Sequence, residues 1–418
     1  MTELCCCYCC CCSCHGNHRM LLILFVSCIA AVVVFFVSFL TQESKDFRLS
    51  PVTEPVINQL GISPSFELST EASSSDTKRW NVIILTHMSS GSTFTGNIFN
   101  LHPDVFYLYE PLHKLRRGVY GNEWNPFNEA TNDAYKSDFS ALFRDVFDCG
   151  FREGVTLKRA IPPFVKRLKR LTYWRYSSPE FTKEAVSNAC KDKKVTVAKV
   201  MQTRLPRKIG IQELQRVCNA DPAKFDCLII HLVRDPRAMV SSLLGRKFFT
   251  KGTERKLFTS RPLTTEAWEL VKQHAEFMCS QVSNNINYVK ENWLNWFRGR
   301  YKLIRFEDIV ANITNTADEL YKFVGLSMVE SIYRWIVKGE KPERTGGSTF
   351  KVSENNAKRS DHWRFDRDSS LVFLFEEACA PLMKLTGYIF VNGSEYLQHN
   401  FAKALQTKEI PFLKDLSL

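Results

Sequence analysis

Residues 81–94 read Asn-Val-Ile-Ile-Leu-Thr-His-Met-Ser-Ser-Gly-Ser-Thr-Phe, an apolar run that stops at a turn of hydroxyls around one glycine. Asn81–Leu85 has the near-continuous apolar character of a parallel strand buried on both faces. A helix is predicted to follow over Phe94–Leu101. Strand, glycine-containing turn and helix in that order offer backbone N–H groups and a positive helix end to an anion. A second segment repeats the pattern: the strand Cys227–Leu232, then Arg234-Asp235-Pro236, then a helix over Arg237–Leu244. Arg234 and Ser242, two helical turns apart, can meet one anion, whereas Arg237 reads as the partner of a nearby acid. A ligand carrying phosphates at two places would use both segments. Ser90-Gly91-Ser92-Thr93 is not a Walker A loop, because no lysine precedes the final hydroxyl and the glycine spacing fails. That weighs against an ATPase or a magnesium-dependent kinase.

Outward from these segments, strands are predicted at Val105–Leu108, Val195–Val200 and Tyr301–Phe306. Helices are predicted near Ile211–Cys218, Thr264–Asn292, Asp318–Val324 and Ser369–Leu385, the last ended by Gly387. The alternation gives an α/β fold, a P-loop-like parallel sheet with helices on both faces. Ligands of such sheets lie at the carboxyl ends of the strands, where both opening segments fall.

The chain has 418 residues and a net charge of +12. Met20–Leu40 is uncharged, and 21 residues at about 1.5 Å each span a bilayer core of roughly 30 Å. No small-residue cleavage site follows, so the segment reads as an uncleaved transmembrane signal anchor. Residues 1–19 form a cytosolic Cys-rich tail, 41–79 a Ser/Thr/Pro-containing stem, and 80–418 the body, with order beginning at Trp80. Eight cysteines crowd into Cys5–Cys14; palmitoylation of the tail is favoured over a metal cluster with His15 and His18. The sequons Asn312-Ile313-Thr314 and Asn392-Gly393-Ser394 favour a lumenal body. Cys149, Cys190, Cys218, Cys227, Cys279 and Cys379 allow up to three disulfides there, with fifteen connectivities open. The basic runs Lys158–Arg170 and Arg246–Lys256 suit anionic partners, but no nucleic-acid-binding signature accompanies them.

The ordered motifs resemble those of the Golgi carbohydrate sulfotransferases, in the group that sulfates O6 of galactose or N-acetylhexosamines. They are Ser89–Phe94, Asp104–Leu112 (DVFYLYEPL), His231–Ala238 (HLVRDPRA), Ile304–Asp308 (IRFED), Glu319–Leu326, and Cys379–Met383 with Gly387-Tyr388. The resemblance covers Trp80 to Tyr388. It implies the sulfotransferase fold, type II Golgi membrane topology and the donor 3′-phosphoadenosine-5′-phosphosulfate, with no metal. The expected partners are a glycan or glycosaminoglycan acceptor and the membrane, without nucleic acid; a homodimer is left open. The donor's phosphosulfate would lie on the amides of Ser89, Ser90, Gly91, Ser92, Thr93 and Phe94, its 3′-phosphate on Arg234 and Ser242.

The acceptor hydroxyl needs a base. Glu110, at the end of the second strand, is the candidate, set against its pairing with a local arginine such as Arg116; His113 is in reserve. Ser89 departs from the arginine that many relatives carry there, and one preorganised donor is worth about 10²–10³ in rate. A protonated His87, Lys199 or Arg204 could substitute for it. A catalytically weakened, glycan-binding relative is the alternative reading. A metal-dependent glycosyltransferase is the other, because Asp366-Arg367-Asp368 resembles Asp-x-Asp, although Asp368 suits a helix cap. Trp293–Phe297 is expected in the core. Trp363 and Arg364 are expected to contact acceptor or adenine, and Thr345–Asn356, with Lys351 and Ser353, to fold over the nucleotide.

Overall fold

The structure is a computed structural model that describes residues 79–113, 115, 133–152, 182–206, 210–245, 263–338 and 360–416. These residues belong to one compact unit, Ser74–Leu418. The tail, the apolar segment 20–40, the stem up to residue 78, Arg116, the basic runs 158–170 and 246–256 and the loop 345–356 lie outside the described residues. Among the described residues no helix is long and apolar enough to cross a membrane.

Five parallel strands form the sheet: β1 (Arg79–Thr86), β2 (Val105–Tyr109), β3 (Val195–Met201), β4 (Phe225–Val233) and β5 (Tyr301–Arg305), in the order β2-β3-β1-β4-β5. The central β1 is predominantly apolar over Val82–Leu85 because both its faces are covered. Ile83, Leu85, Ala198, Val200 and Ile229 point into one core, together with the helices Asp133–Phe147, Ile211–Cys218 and Thr265–Glu291. Val82, Ile84, Val197, Ile230 and Ile304 point into the other, against Ser92–Asn100 (α1) and Ile313–Phe323. This is the predicted parallel sheet with helices on both faces.

Three predicted helices differ in the structure, and the one predicted at Asp318–Val324 starts five residues earlier, as Ile313–Phe323. α1 begins at Ser92, not Phe94, because Gly91 takes the left-handed N-cap conformation at φ 80°. The single helix predicted over Ser369–Leu385 is two, Ser369–Ala378 and Ala380–Thr386, broken at Cys379. Pro381 has no N–H to donate, and its ring would clash with the carbonyl of Glu377 in a continuous helix. Trp293–Phe297 forms a short π-helical turn in which Phe297 is buried, while Leu294 is 78% exposed. The core expectation therefore holds for only part of that segment.

All six body cysteines are paired, as Cys149–Cys190, Cys218–Cys227 and Cys279–Cys379. The third bridge ties the long helix Thr265–Glu291 to the break between Ser369–Ala378 and Ala380–Thr386, closing a separation of 100 residues. Chain-entropy arguments put such a closure at about 4–5 kcal/mol, the upper part of the usual range. Replacing Cys279 and Cys379 together by alanine is expected to lower the unfolding free energy by about 2–5 kcal/mol. Denaturant titration of the two proteins measures the difference.

Candidate active site

The site lies at the carboxyl ends of β1, β3 and β4. After β1 the chain turns sharply: Ser89 takes φ 62° and Gly91 φ 80°. The Ser90 hydroxyl donates to the His87 carbonyl at 2.8 Å, closing the turn. A Cβ on Gly91 would lie 2.1 Å from the Phe306 ring, so the close approach of β5's end to the loop requires glycine there. α1 then starts with no side-chain cap and no acid in its first turn. The first N–H groups of a helix have no intrahelical acceptor, so those of Ser92 and Thr93 are available to an anion at the positive end of α1.

Lys199 supplies a cation at this point. The β2–β3 register pairs Tyr109 with Lys199, which places Glu110 beside the ammonium. Lys199 Nζ lies 2.8 Å from Glu110 Oε1 and 3.5 Å from the Thr93 hydroxyl, and sits over the Tyr109 ring at 3.7 Å. Arg204 Nη1 is 2.6 Å from the other Glu110 oxygen. The Tyr135 hydroxyl in turn donates to the Arg204 carbonyl, fixing that loop to the helix Asp133–Phe147. Burial pushes the Glu110 carboxyl up, but Lys199 and Arg204 outweigh it and bring the pKa down to about 2. Glu110 is thus a buried carboxylate with two cationic partners, neither of them the local arginine considered from sequence. Its φ of 52° is a strained position of the kind found at functional sites.

His87 does not supply a charge to the loop. It is 3% exposed, and burial holds its pKa at about 4. The ring is therefore neutral at neutral pH, and the expectation that a protonated His87 stands in for the missing arginine is not met.

The second segment reaches the first. Arg234 Nη1 donates to the Ser89 carbonyl at 2.6 Å, and its guanidinium lies 5.2 Å from the centre of the Phe306 ring. Glu307 Oε1 is 4.0 Å from Arg234 Nε and accepts the Asp235 N–H at 3.1 Å. Ser242 is half-buried on Pro236–Gly245 (the helix after β4). Beside it, Arg367 donates to the Ser241 hydroxyl and carbonyl, both at 2.9 Å. Arg237 is the acid's partner the sequence suggests: fully buried, it binds Asp235 and Glu376 at 2.7 Å each.

Several expectations find other roles. Trp363 is 2% exposed and stacks under Arg237 at 4.3 Å, which places it in the core. Arg364 is likewise buried, donating to the Lys403 carbonyl and lying over Phe401. Asp368 caps Ser369–Ala378 by accepting the Leu371 N–H at 2.8 Å, so Asp366-Arg367-Asp368 is not a metal motif. Among the described residues no group of three or more His, Cys, Asp or Glu is placed to hold a metal. Sequence reasoning missed Phe306, Glu307 and Arg367; the first two lie in IRFED, whose position just after a strand of the sheet marks the same edge.

The sulfotransferase domain family matches residues 79–386, and the chain belongs to that family. It is a sulfotransferase, and its similarity runs to the carbohydrate sulfotransferases. Carbohydrate sulfotransferase 1 of Mus musculus is 24% identical over 426 residues, covering 92% of this chain and 97% of that protein. Carbohydrate sulfotransferase 6 of Homo sapiens is 28% identical over 355 residues, covering 78% and 84%. Among solved structures, the sulfotransferase domain from the curacin biosynthetic pathway aligns with a TM-score of 0.38 at 16% identity, covering 70% of this chain and 93% of that one.

Gly91→Ala places a methyl group into the Phe306 ring at a positive φ. The expected result is a loss of about 1–3 kcal/mol in stability, from strain, together with loss of sulfate transfer. Thermal unfolding and a transfer assay on the same preparation check both.

Proposed function

We propose that this protein transfers the sulfuryl group of 3′-phosphoadenosine-5′-phosphosulfate to a carbohydrate hydroxyl, O6 of a galactose or N-acetylhexosamine. The observation that carries the reading is Lys199, which stands between the first turn of α1 and Glu110. One ammonium there can neutralise charge growing on the leaving phosphate while it touches the carboxylate on the acceptor side. The uncapped first turn supplies the remaining donors without a metal, in the manner of metal-free electrostatic stabilisation. Arg234, with Ser242 next to the Arg367-held Ser241, would hold the 3′-phosphate.

Glu110 is the base in this reading. At a pKa of about 2 it is fully ionised but weakly basic, and it gains basicity only as Lys199 shifts its charge toward the donor. The cation that Ser89 lacks is thus supplied from β3, which disfavours the reading as an inert glycan-binding relative. Golgi membrane residence as a type II protein belongs to the same proposal. It is supported by the apolar span 20–40, by three disulfides in the body and by sequons whose Asn312 and Asn392 are exposed.

Radiolabelled donor with a panel of galactose- and N-acetylhexosamine-terminated acceptors tests the assignment; no transfer to any sugar overturns it. Lys199→Gln is expected to cut turnover by about 10²–10³. Glu110→Gln is expected to cut it by about 10²–10⁴ while adenosine 3′,5′-bisphosphate still binds, as isothermal calorimetry would show. Near-normal turnover in folded Glu110→Gln would remove that residue from the role.

A further inference from the structure

Glu307 is a half-buried carboxylate that the transfer chemistry above does not use, yet it contacts Arg234, Asp235 and Tyr388 at the donor end of the fold. One oxygen faces Arg234 Nε at 4.0 Å and accepts the Asp235 N–H at 3.1 Å. The other accepts from the Tyr388 hydroxyl at 2.7 Å. Glu307 follows Phe306, whose ring lies against Gly91 and under Arg234. A single side chain therefore sits behind the Arg234–Ser89 hydrogen bond that joins the two segments.

We propose that Glu307 is a positioning residue for donor binding: ionised, it draws Arg234 back toward β5 and repels the donor's 3′-phosphate, and protonated, it releases Arg234 to that phosphate. The inference rests on Arg234 being a donor ligand.

The charges around Glu307 are mixed. Arg234 and Asp235 face it from the turn after β4, and Tyr388 from the segment after the last-but-two helix, Ala380–Thr386. Arg305, next to Tyr388, is held by Asp308 at 2.7 Å. Asp361 lies further out, in the field of Asp235 and Arg234. Burial, with Asp235 adding to it, raises the Glu307 pKa to about 7 against the opposing pull of Arg234 and the Tyr388 hydrogen bond. Protonation preserves the local geometry, because a tyrosine hydroxyl can accept as well as donate. The carboxyl then donates to Tyr388 and still accepts from Asp235.

By linkage, an anionic ligand that raises a neighbouring pKa binds more tightly when that neighbour is protonated. Donor affinity should therefore rise as pH falls through about 7. Glu307→Gln mimics the protonated form, with its amide donating to Tyr388 and its oxygen accepting the Asp235 N–H.

The test is calorimetric binding of adenosine 3′,5′-bisphosphate to wild type and Glu307→Gln at pH 6, 7 and 8. Titration of the ligand's own phosphates is common to both proteins and cancels in their ratio. The expected wild-type to variant ratio of dissociation constants is near one at pH 6 and about fivefold at pH 8, approaching at higher pH the roughly tenfold limit of a one-unit pKa coupling. Tyr388→Phe, which removes a bond that favours the ionised form, should move the rise to higher pH. Equal constants for wild type and Glu307→Gln at every pH overturn the inference while leaving the donor site intact. If Arg234→Ala binds as tightly as wild type, the donor reading of Arg234 fails, and this inference fails with it.

Discussion

A phosphate-handling site needs cations held in place at the dry end of a sheet, and a buried cation is costly unless it is paired. Lys199 is 1% exposed, and its ion pair with Glu110 offsets the cost of burying it beside α1. Arg204 takes the second oxygen of the same carboxylate. The arrangement has a direction. Glu110 holds Lys199 on one side, and the ammonium faces Thr93 on the other, so that in the proposed transfer one charge would serve both halves. Removing the carboxylate would leave two buried cations without their anion, a larger loss than that of one proton acceptor.

The second segment is braced differently. Arg237, which contributes nothing to the cleft, is bound by Asp235 and Glu376 and stacked on Trp363. Glu376 also accepts the N–H groups of Val391 and Asn392, at 2.8 Å each. One buried arginine thus joins the turn after β4 to the C-terminal helices. Arg234, three residues earlier, is left to face the loop after β1. The Phe306 ring fills the space between the two segments, and the absence of a side chain at Gly91 lets it do so.

The sheet was legible because buried parallel strands write their apolar runs into the chain, and every predicted strand is present within two residues of its observed ends. The helix Ile211–Cys218 matches at both ends because its apolar positions recur at helical spacing up to Asn219. Pro381, in the first turn of Ala380–Thr386, marks in the sequence the break that divides the C-terminal helix. Gly91 looked like an ordinary turn glycine, and only its left-handed conformation starts α1 two residues early. The donor loop and Arg234 were legible as motifs, but the partners of Glu110 were not. The lysine that holds it lies 89 positions along the chain and is brought to it by strand register, which local spacing does not encode. His87 failed for the complementary reason: a sequence shows that a histidine is near a loop, but not that its ring faces inward.

The three cystine bridges carry a practical consequence for anyone who makes this protein. The bridge between Cys279 and Cys379 joins the longest helix among the described residues to the break at Cys379 before Pro381. In a bacterial cytoplasm, thioredoxin and glutathione would leave six free thiols in hydrophobic surroundings. Material for crystallography or enzymology is best secreted from eukaryotic cells, where oxidation accompanies the emergence of the chain.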